Sequence, residues 1–305
     1  MSDTVRIYLA SRYNGHRSDP RSNNPHHQAA AVYKYPYLLE SYHYVGDHRY
    51  DEQIRYNNDK LFMDSGAFSM FTLGIDVDLD AYGGYLARAQ DYIEVASNVD
   101  AIGAGREADS YANQKYLESL KLPVRVQPVH HARDSDDWLK RYLDEGYDYI
   151  FLGGMVPETT PYLIDWLDHI WDRYLALPDG TARIKVHGFG LTTFELMERY
   201  PWYSVDSTSW VQLGMFGGIL MYVNGRPRAL SISKRSAQAK EFDRSLWSLD
   251  SDTRGRLLAV IREKGFDPEL LSESYGHRDH WNIRFYYEYM QTLRPVFQRR
   301  QVLFF

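Results

Sequence analysis

Short β-rich apolar runs alternate with longer amphipathic stretches through most of this chain. The runs that read as strands are Arg6–Ala10, Leu38–Tyr44, Lys60–Asp64, Val99–Gly103, Val124–Val129, Tyr149–Leu152, Ile184–His187 and Tyr203–Asp206. Helical patterns lie between them. Leu79–Val95 follows an acidic start, Ser135–Leu143 opens with Ser-Asp-Asp as an N-cap, and Thr160–Leu177 sets Pro161 in a first turn, where its missing N–H is tolerated. Thr192 or Thr193 is placed to cap Phe194–Arg199. Such alternation covers parallel strands with helices, and eight strands predict a closed (β/α)8 TIM barrel, with an open doubly wound sheet as the alternative.

After Asp206 the rhythm changes. Gly217–Tyr222 and Arg228–Ser233 flank Asn224-Gly225, a pair suited to the positive φ angles of a tight hairpin turn. From Ser236 onward the pattern is helical, over Ala237–Trp247, Thr253–Lys264 and Trp281–Leu293. The expected organisation is a TIM-barrel catalytic domain at 1–235, hairpin included, and a C-terminal helical extension at 236–305 packed on the barrel. The closing run Phe297–Phe305, with Arg299 and Arg300 before VLFF, is a candidate contact for a protein partner.

Composition narrows the chemistry. The 305 residues are 44% hydrophobic, enough for a large core. No apolar run reaches the roughly 20 residues of a membrane span. The start MSDTVRIYLAS lacks the pattern of a signal peptide, so no membrane partner and a cytoplasmic location are expected. With no cysteine, disulfides, thiol nucleophiles and thiolate zinc sites are excluded. The adjacent His130 and His131 face opposite sides of a strand, and His277 and His280 lack a matching carboxylate pattern, so neither a metal nor a cofactor is expected. No phosphate-binding loop, dinucleotide motif or nucleophile elbow occurs. The net charge of −6 argues against a surface coated with positive charge. One basic segment stands out, Tyr222–Arg235, where Arg226, Arg228, Lys234 and Arg235 occur with no acidic residue between them. It reads as a patch for nucleic-acid phosphates or as a solvated hairpin edge.

In a parallel barrel, reacting groups emerge at the C-terminal ends of strands. Asp64 and Asp206 both end an apolar run and precede serine. Either alone reads equally as a turn former or a helix cap. As a pair they suit cleavage at an anomeric carbon, where one carboxylate traps an oxocarbenium-like centre and a second group moves protons. Gly153-Gly154, Gly188 and Gly190 permit close backbone approach to a planar ligand, or close packing of strands into loops. Gln127 offers an amide that can donate to and accept from a purine edge, or bond a neighbouring loop. Phe68 and Met155 could sandwich such a base or belong to the core.

Taken in order, Asp64-Ser65-Gly66-x-Phe68, Val126-Gln127, Leu152-Gly153-Gly154, His187-Gly188-x-Gly190 and Ser204-Val205-Asp206-Ser207-Thr208 resemble the signature of the tRNA-guanine transglycosylase family. More narrowly, they resemble its zinc-lacking phage and bacterial relatives that place 7-deazaguanine bases in DNA. The resemblance spans residues 60–235 and implies a pentosyltransferase. In it Asp206 is the nucleophile at C1′ and Asp64 the general acid/base. Ser65, Gly66 and Phe68 line the pocket, Gln127, Gly153 and Gly154 read the base edge, and Gly190 shapes the floor, with Met155 and His187 in the same substrate-binding set. The further base-binding aspartate of the family has two candidates, Asp100 and Asp109, and Glu158 lies one residue out of step with a family glutamate. The tRNA enzymes carry a three-cysteine, one-histidine zinc site that this chain lacks, which shifts the implied substrate to DNA, with free 7-deazaguanine as the incoming base. Three alternatives stay open: exchange in structured RNA such as tRNA, hydrolytic base excision, and an inactive nucleic-acid-binding barrel.

Overall fold

The computed structural model describes residues 4–11, 34–46, 50–57, 59–156, 158–191, 193–241 and 244–298. They form two compact units, one from 4–11, 36–207 and 292–298, the other from 34–35 and 208–291.

In the first unit, nine parallel strands make one sheet in the order β5-β4-β3-β2-β1-β9-β8-β7-β6. They are β1 (Arg6–Ala10), β2 (Leu38–Ser41), β3 (Leu61–Asp64), β4 (Ile93–Ser97), β5 (Val126–Gln127), β6 (Val129–His131), β7 (Tyr149–Gly153), β8 (Lys185–Gly188) and β9 (Ser204–Ser207). The two ends of that order, β5 and β6, are separated only by Pro128. Proline has no N–H to give a ladder, so it splits one strand in two. The halves pair on opposite sides, β5 with β4 and β6 with β7, and the sheet closes through Gln127-Pro128-Val129. Eight strand positions therefore enclose one interior, a TIM barrel.

Registered neighbours in a parallel sheet point their side chains to the same face, and alternate residues share it. Tyr8, Leu39, Phe62, Val95, Val129, Tyr149 and Phe151 fill the interior as one apolar cluster, with Tyr37, Phe189 and Tyr203 against it. One inward step further along the strands come Ser41, Asp64, Ser97, Gln127, His131, Gly153 and Asp206, in the layer at the strands' C-terminal ends.

The second unit holds the antiparallel hairpin β10 (Gly218–Val223) and β11 (Arg226–Ser231), turned by Asn224 and Gly225 at φ 52° and 76°. Ile219, Met221, Val223, Leu230 and Ile232 share a core with Leu246, Leu257, Ile261, Leu271 and Trp281 from the C-terminal segments. The hairpin thus belongs with those helices. The units divide after Ser207, whereas the expectation put a boundary after Arg235. Of the closing run Phe297–Phe305, residues 299–305 lie outside those described, as does Thr192.

Two further expectations change. The fourth strand is Ile93–Ser97 rather than Val99–Gly103, because the helix starting at Leu79 ends at Arg88 and the β-branched run IEVAS is already in the sheet. Ala237–Trp247 is not a continuous helix but two 3-10 turns, Ala237–Lys240 and Leu246–Ser248, the second capped by the Ser245 hydroxyl accepting from Trp247 N. Among the described residues no helix is long and apolar enough to cross a membrane.

The barrel's aromatic interior makes its own prediction. Phe62 is fully buried, with ring centroids 4.8 Å from Phe151 and 4.5 Å from His187. Truncation in Phe62→Ala leaves a cavity that rigid staves cannot close, and should cost about 3–5 kcal/mol of unfolding free energy in urea titrations. A loss under about 1 kcal/mol would mean that the interior is not packed as described.

Candidate active site

The two aspartates of the Asp-Ser turns sit at strand ends, Asp64 on β3 and Asp206 on β9, with β2 and β1 between them in the sheet. Asp206 is 7% exposed. Its Oδ1 accepts the Gly190 N–H at 2.7 Å and lies 3.3 Å from His187 Nε2, at an angle short of hydrogen-bond geometry. Gly190 holds φ 63°, a left-handed conformation that lets the loop after β8 turn its N–H onto the carboxylate. Oδ2 makes no hydrogen bond to any described residue.

Asp64 is arranged differently. Its Oδ2 accepts the Gly66 N–H at 3.0 Å, and the Ser97 hydroxyl lies 3.5 Å from Oδ1 while accepting from Ser65 N at 2.8 Å. The turn requires glycine at 66: φ is 78°, and a Cβ there would stand 2.7 Å from His43 Cβ and 2.8 Å from Ser41 Oγ. The residue keeps part of its surface open, yet burial of its carboxyl is the largest influence on its proton. Burial, then the negative charge of Asp100, push its pKa up to about 7; the Gly66 N–H opposes them, and Asp206 adds a smaller repulsion.

Asp100 settles where the loop after β4 leads. It hydrogen-bonds His131 Nε2 at 2.7 Å, and both side chains are largely buried. Burial alone would lower the His131 pKa, but the Asp100 hydrogen bond and the charges of Asp100, Asp134 and Glu107 outweigh it and raise it. Asp109, the other candidate, instead pairs with Arg106 on an exposed helix face, and Glu158 pairs with Arg133. Gln127 is 2% exposed, in register with Ser97, and its amide bonds no described side chain.

The remaining candidates divide. Ser65 and Met155 are buried, and Gly153 and Gly154 border His131, where a Cβ on Gly153 would meet its ring at 2.8 Å. Phe68 is 57% exposed at the start of the helix Ala67–Thr72, so it is not core. His187 is fully buried with Nδ1 2.8 Å from Ser204 Oγ, so it stands behind Asp206 rather than facing an open pocket. In the second unit Arg226, Arg228 and Arg235 are exposed, while the Lys234 ammonium lies over the Trp247 ring and 3.8 Å from Glu269. His130 and His131 do face opposite ways, His130 stacking on Trp166. Among the described residues no three His, Asp or Glu side chains gather as metal ligands.

Sequence reasoning missed Ser97, His131, Ser204 and Tyr149. Alternation along β7 and β9 could have found the last two, since Ser204 lies two residues before Asp206 and Tyr149 four before Gly153. The Asp100–His131 pair has no local signal, because it joins the loop after β4 to the end of β6.

No protein-family model and no curated protein matches the chain. Among solved structures, KGPDC from Streptococcus mutans superposes with a TM-score of 0.41 and 12% identity, over 68% of this chain and 89% of that one. The chemistry of the site therefore rests on its own geometry.

That geometry predicts how Asp64 answers its neighbour. Asp100→Asn removes the like charge and should lower the Asp64 pKa from about 7, though burial holds it above the ordinary carboxylate range. Carboxyl-selective NMR titration reads the shift; an unchanged or increased value would contradict the coupling.

Proposed function

We propose that this protein is an enzyme, a DNA-guanine transglycosylase that exchanges guanine in DNA for a 7-deazaguanine base such as 7-cyano-7-deazaguanine. The observation that carries the reading is the difference between two carboxyls of one strand-end layer. Asp206 has one oxygen fixed by the Gly190 N–H and the other without a hydrogen bond to any described residue, as an attacking group needs. Asp64 has a pKa of about 7, where a carboxyl can give and take a proton in the same cycle.

In the first displacement Asp206 Oδ2 attacks C1′, the bond from C1′ to N9 breaks, and the departing guanine takes a proton from Asp64. In the second, the incoming 7-deazaguanine gives its N9 proton to Asp64, and N9 displaces the aspartyl oxygen from C1′. Two inversions retain configuration, as in retaining glycosidases. Gln127 in the same layer and Asp100 in the loop after β4, held by His131, are polar groups for a purine edge, and Gly153 and Gly154 make room for the His131 side chain that holds Asp100. The cysteine-free chain departs from the zinc-bearing tRNA enzymes it resembles, which supports DNA. A paired base must first leave its stack, at about a few kcal/mol, and exposed Phe68 is available for stacking. Arg226, Arg228 and Arg235 supply exposed charge for phosphates.

Purified protein incubated with labelled 7-cyano-7-deazaguanine should transfer label to DNA and not to tRNA. Asp206→Asn should abolish transfer without changing the melting temperature. Label confined to tRNA, or abasic DNA without label, would sink the proposal. Because Asp64 must be protonated to release guanine, that step should slow as pH rises through about 7, and Asp64→Asn should lose this limb along with most of its rate.

A further inference from the structure

Behind Asp206 runs a buried polar line that crosses three strands. Tyr149 OH on β7 lies 2.7 Å from Ser204 Oγ on β9, Ser204 Oγ lies 2.8 Å from His187 Nδ1 on β8, and His187 Nε2 lies 3.3 Å from Asp206 Oδ1. His187 and Ser204 are fully buried, and Tyr149 is 5% exposed. Aromatic rings surround the imidazole: Phe62 at 4.5 Å, Phe189 at 4.8 Å, Phe151 at 5.3 Å and Tyr8 at 6.1 Å between centroids. An imidazole so enclosed can meet polar groups only through its two nitrogens, and in that apolar setting each contact is strengthened.

Burial keeps the Tyr149 hydroxyl protonated and disfavours a charged His187, so the imidazole is neutral with one ring proton, and either oxygen of the Tyr149–Ser204 pair can donate to the other. The Asp206 carboxylate beside Nε2 favours the order that leaves the ring proton on that nitrogen. If Tyr149 donates to Ser204 Oγ, the serine proton is directed at His187 Nδ1, which must then accept. The one ring proton is left on Nε2, the nitrogen facing Asp206.

We propose that His187 is a positioning residue for the nucleophile, its tautomer set by Tyr149, Ser204 and the Asp206 carboxylate so that Nε2–H steadies Asp206 Oδ1 and leaves Oδ2 to meet the sugar. The Gly190 N–H holds Oδ1 by a hydrogen bond, and the His187 Nε2–H, 3.3 Å away and off hydrogen-bond geometry, adds a second positive dipole beside it, both from β8 and the loop that follows it. Preset orientation of the attacking group removes reorganisation from the displacement, which is where such donors act on rate. The role rests on the transglycosylase reading for its kinetic consequence, but the tautomer does not depend on it.

The test therefore has two arms. In protein labelled with 15N-histidine, His187 should show a pyridine-like Nδ1 and a pyrrole-like Nε2, and Ser204→Ala should mix or reverse the tautomers while the chain still folds, with a lowered melting temperature because two buried polar groups lose their shared partner. The reverse tautomer in the wild-type chain, or one indifferent to Ser204→Ala, overturns the proposal whatever the enzyme's activity. In the exchange assay, His187→Phe keeps the ring's volume but loses the donor; kcat should fall roughly a hundred-fold with KM for the free base little changed. His187→Gln, which returns an N–H near Nε2, should recover most of that loss. Equal activity in the wild type and His187→Phe, or equal losses in both variants, overturns the positioning role. Absence of exchange by the wild-type protein with a normal His187 spectrum would instead count against the transglycosylase reading and leave the tautomer assignment supported.

Discussion

Closure of the sheet at Pro128 is the constraint on which the site depends. Asp64, Gln127, His131 and Asp206 are spread over more than 140 positions of sequence and stand on four different strand segments. In an open sheet β5 and β6 would be opposite edges. Because they are halves of one interrupted strand, the C-terminal ends converge on a single mouth, and residues with the same inward parity meet in one layer. The interruption also separates Gln127, in register with Ser97, from His131, in register with Gly153.

Beneath that layer the interior is almost wholly aromatic and aliphatic, and this sets the electrostatics above it. A carboxyl group on an apolar floor beside like charges resists ionisation, which is the condition of Asp64. The exception in the floor is His187 with its Ser204 and Tyr149 partners, placed under Asp206. Both aspartates accept a backbone N–H, and they differ in what else lies near: Asp64 feels the charge of Asp100, whereas Asp206 lies beside a neutral imidazole. Equal side chains acquire unequal chemistry from strand neighbours.

Much of this was legible in the chain. Strand-end polar residues after apolar runs located Asp64, Gln127 and Asp206, and alternation of strand and helix patterns gave the barrel. Val99–Gly103 misled because buried Val99 and the following glycines resemble a strand end, while the true strand IEVAS continues an amphipathic stretch without punctuation. Ala237–Trp247 misled because local helix propensity there yields to serine caps that bend the chain into short turns. The placement of His187 and the pairing of Asp100 with His131 needed three-dimensional contacts, since each joins residues from different βα units.

The central claim is that Asp206 forms a covalent bond to the sugar of guanine-containing DNA. Its most direct test is mass spectrometry of protein quenched with denaturant during turnover, followed by proteolysis and nuclease digestion. The account predicts a peptide carrying a deoxyribose ester on Asp206, lost when excess 7-deazaguanine is added before the quench. An adduct mapped to Asp64 or Asp100, or exchange proceeding with no protein-bound sugar at any time, would contradict it.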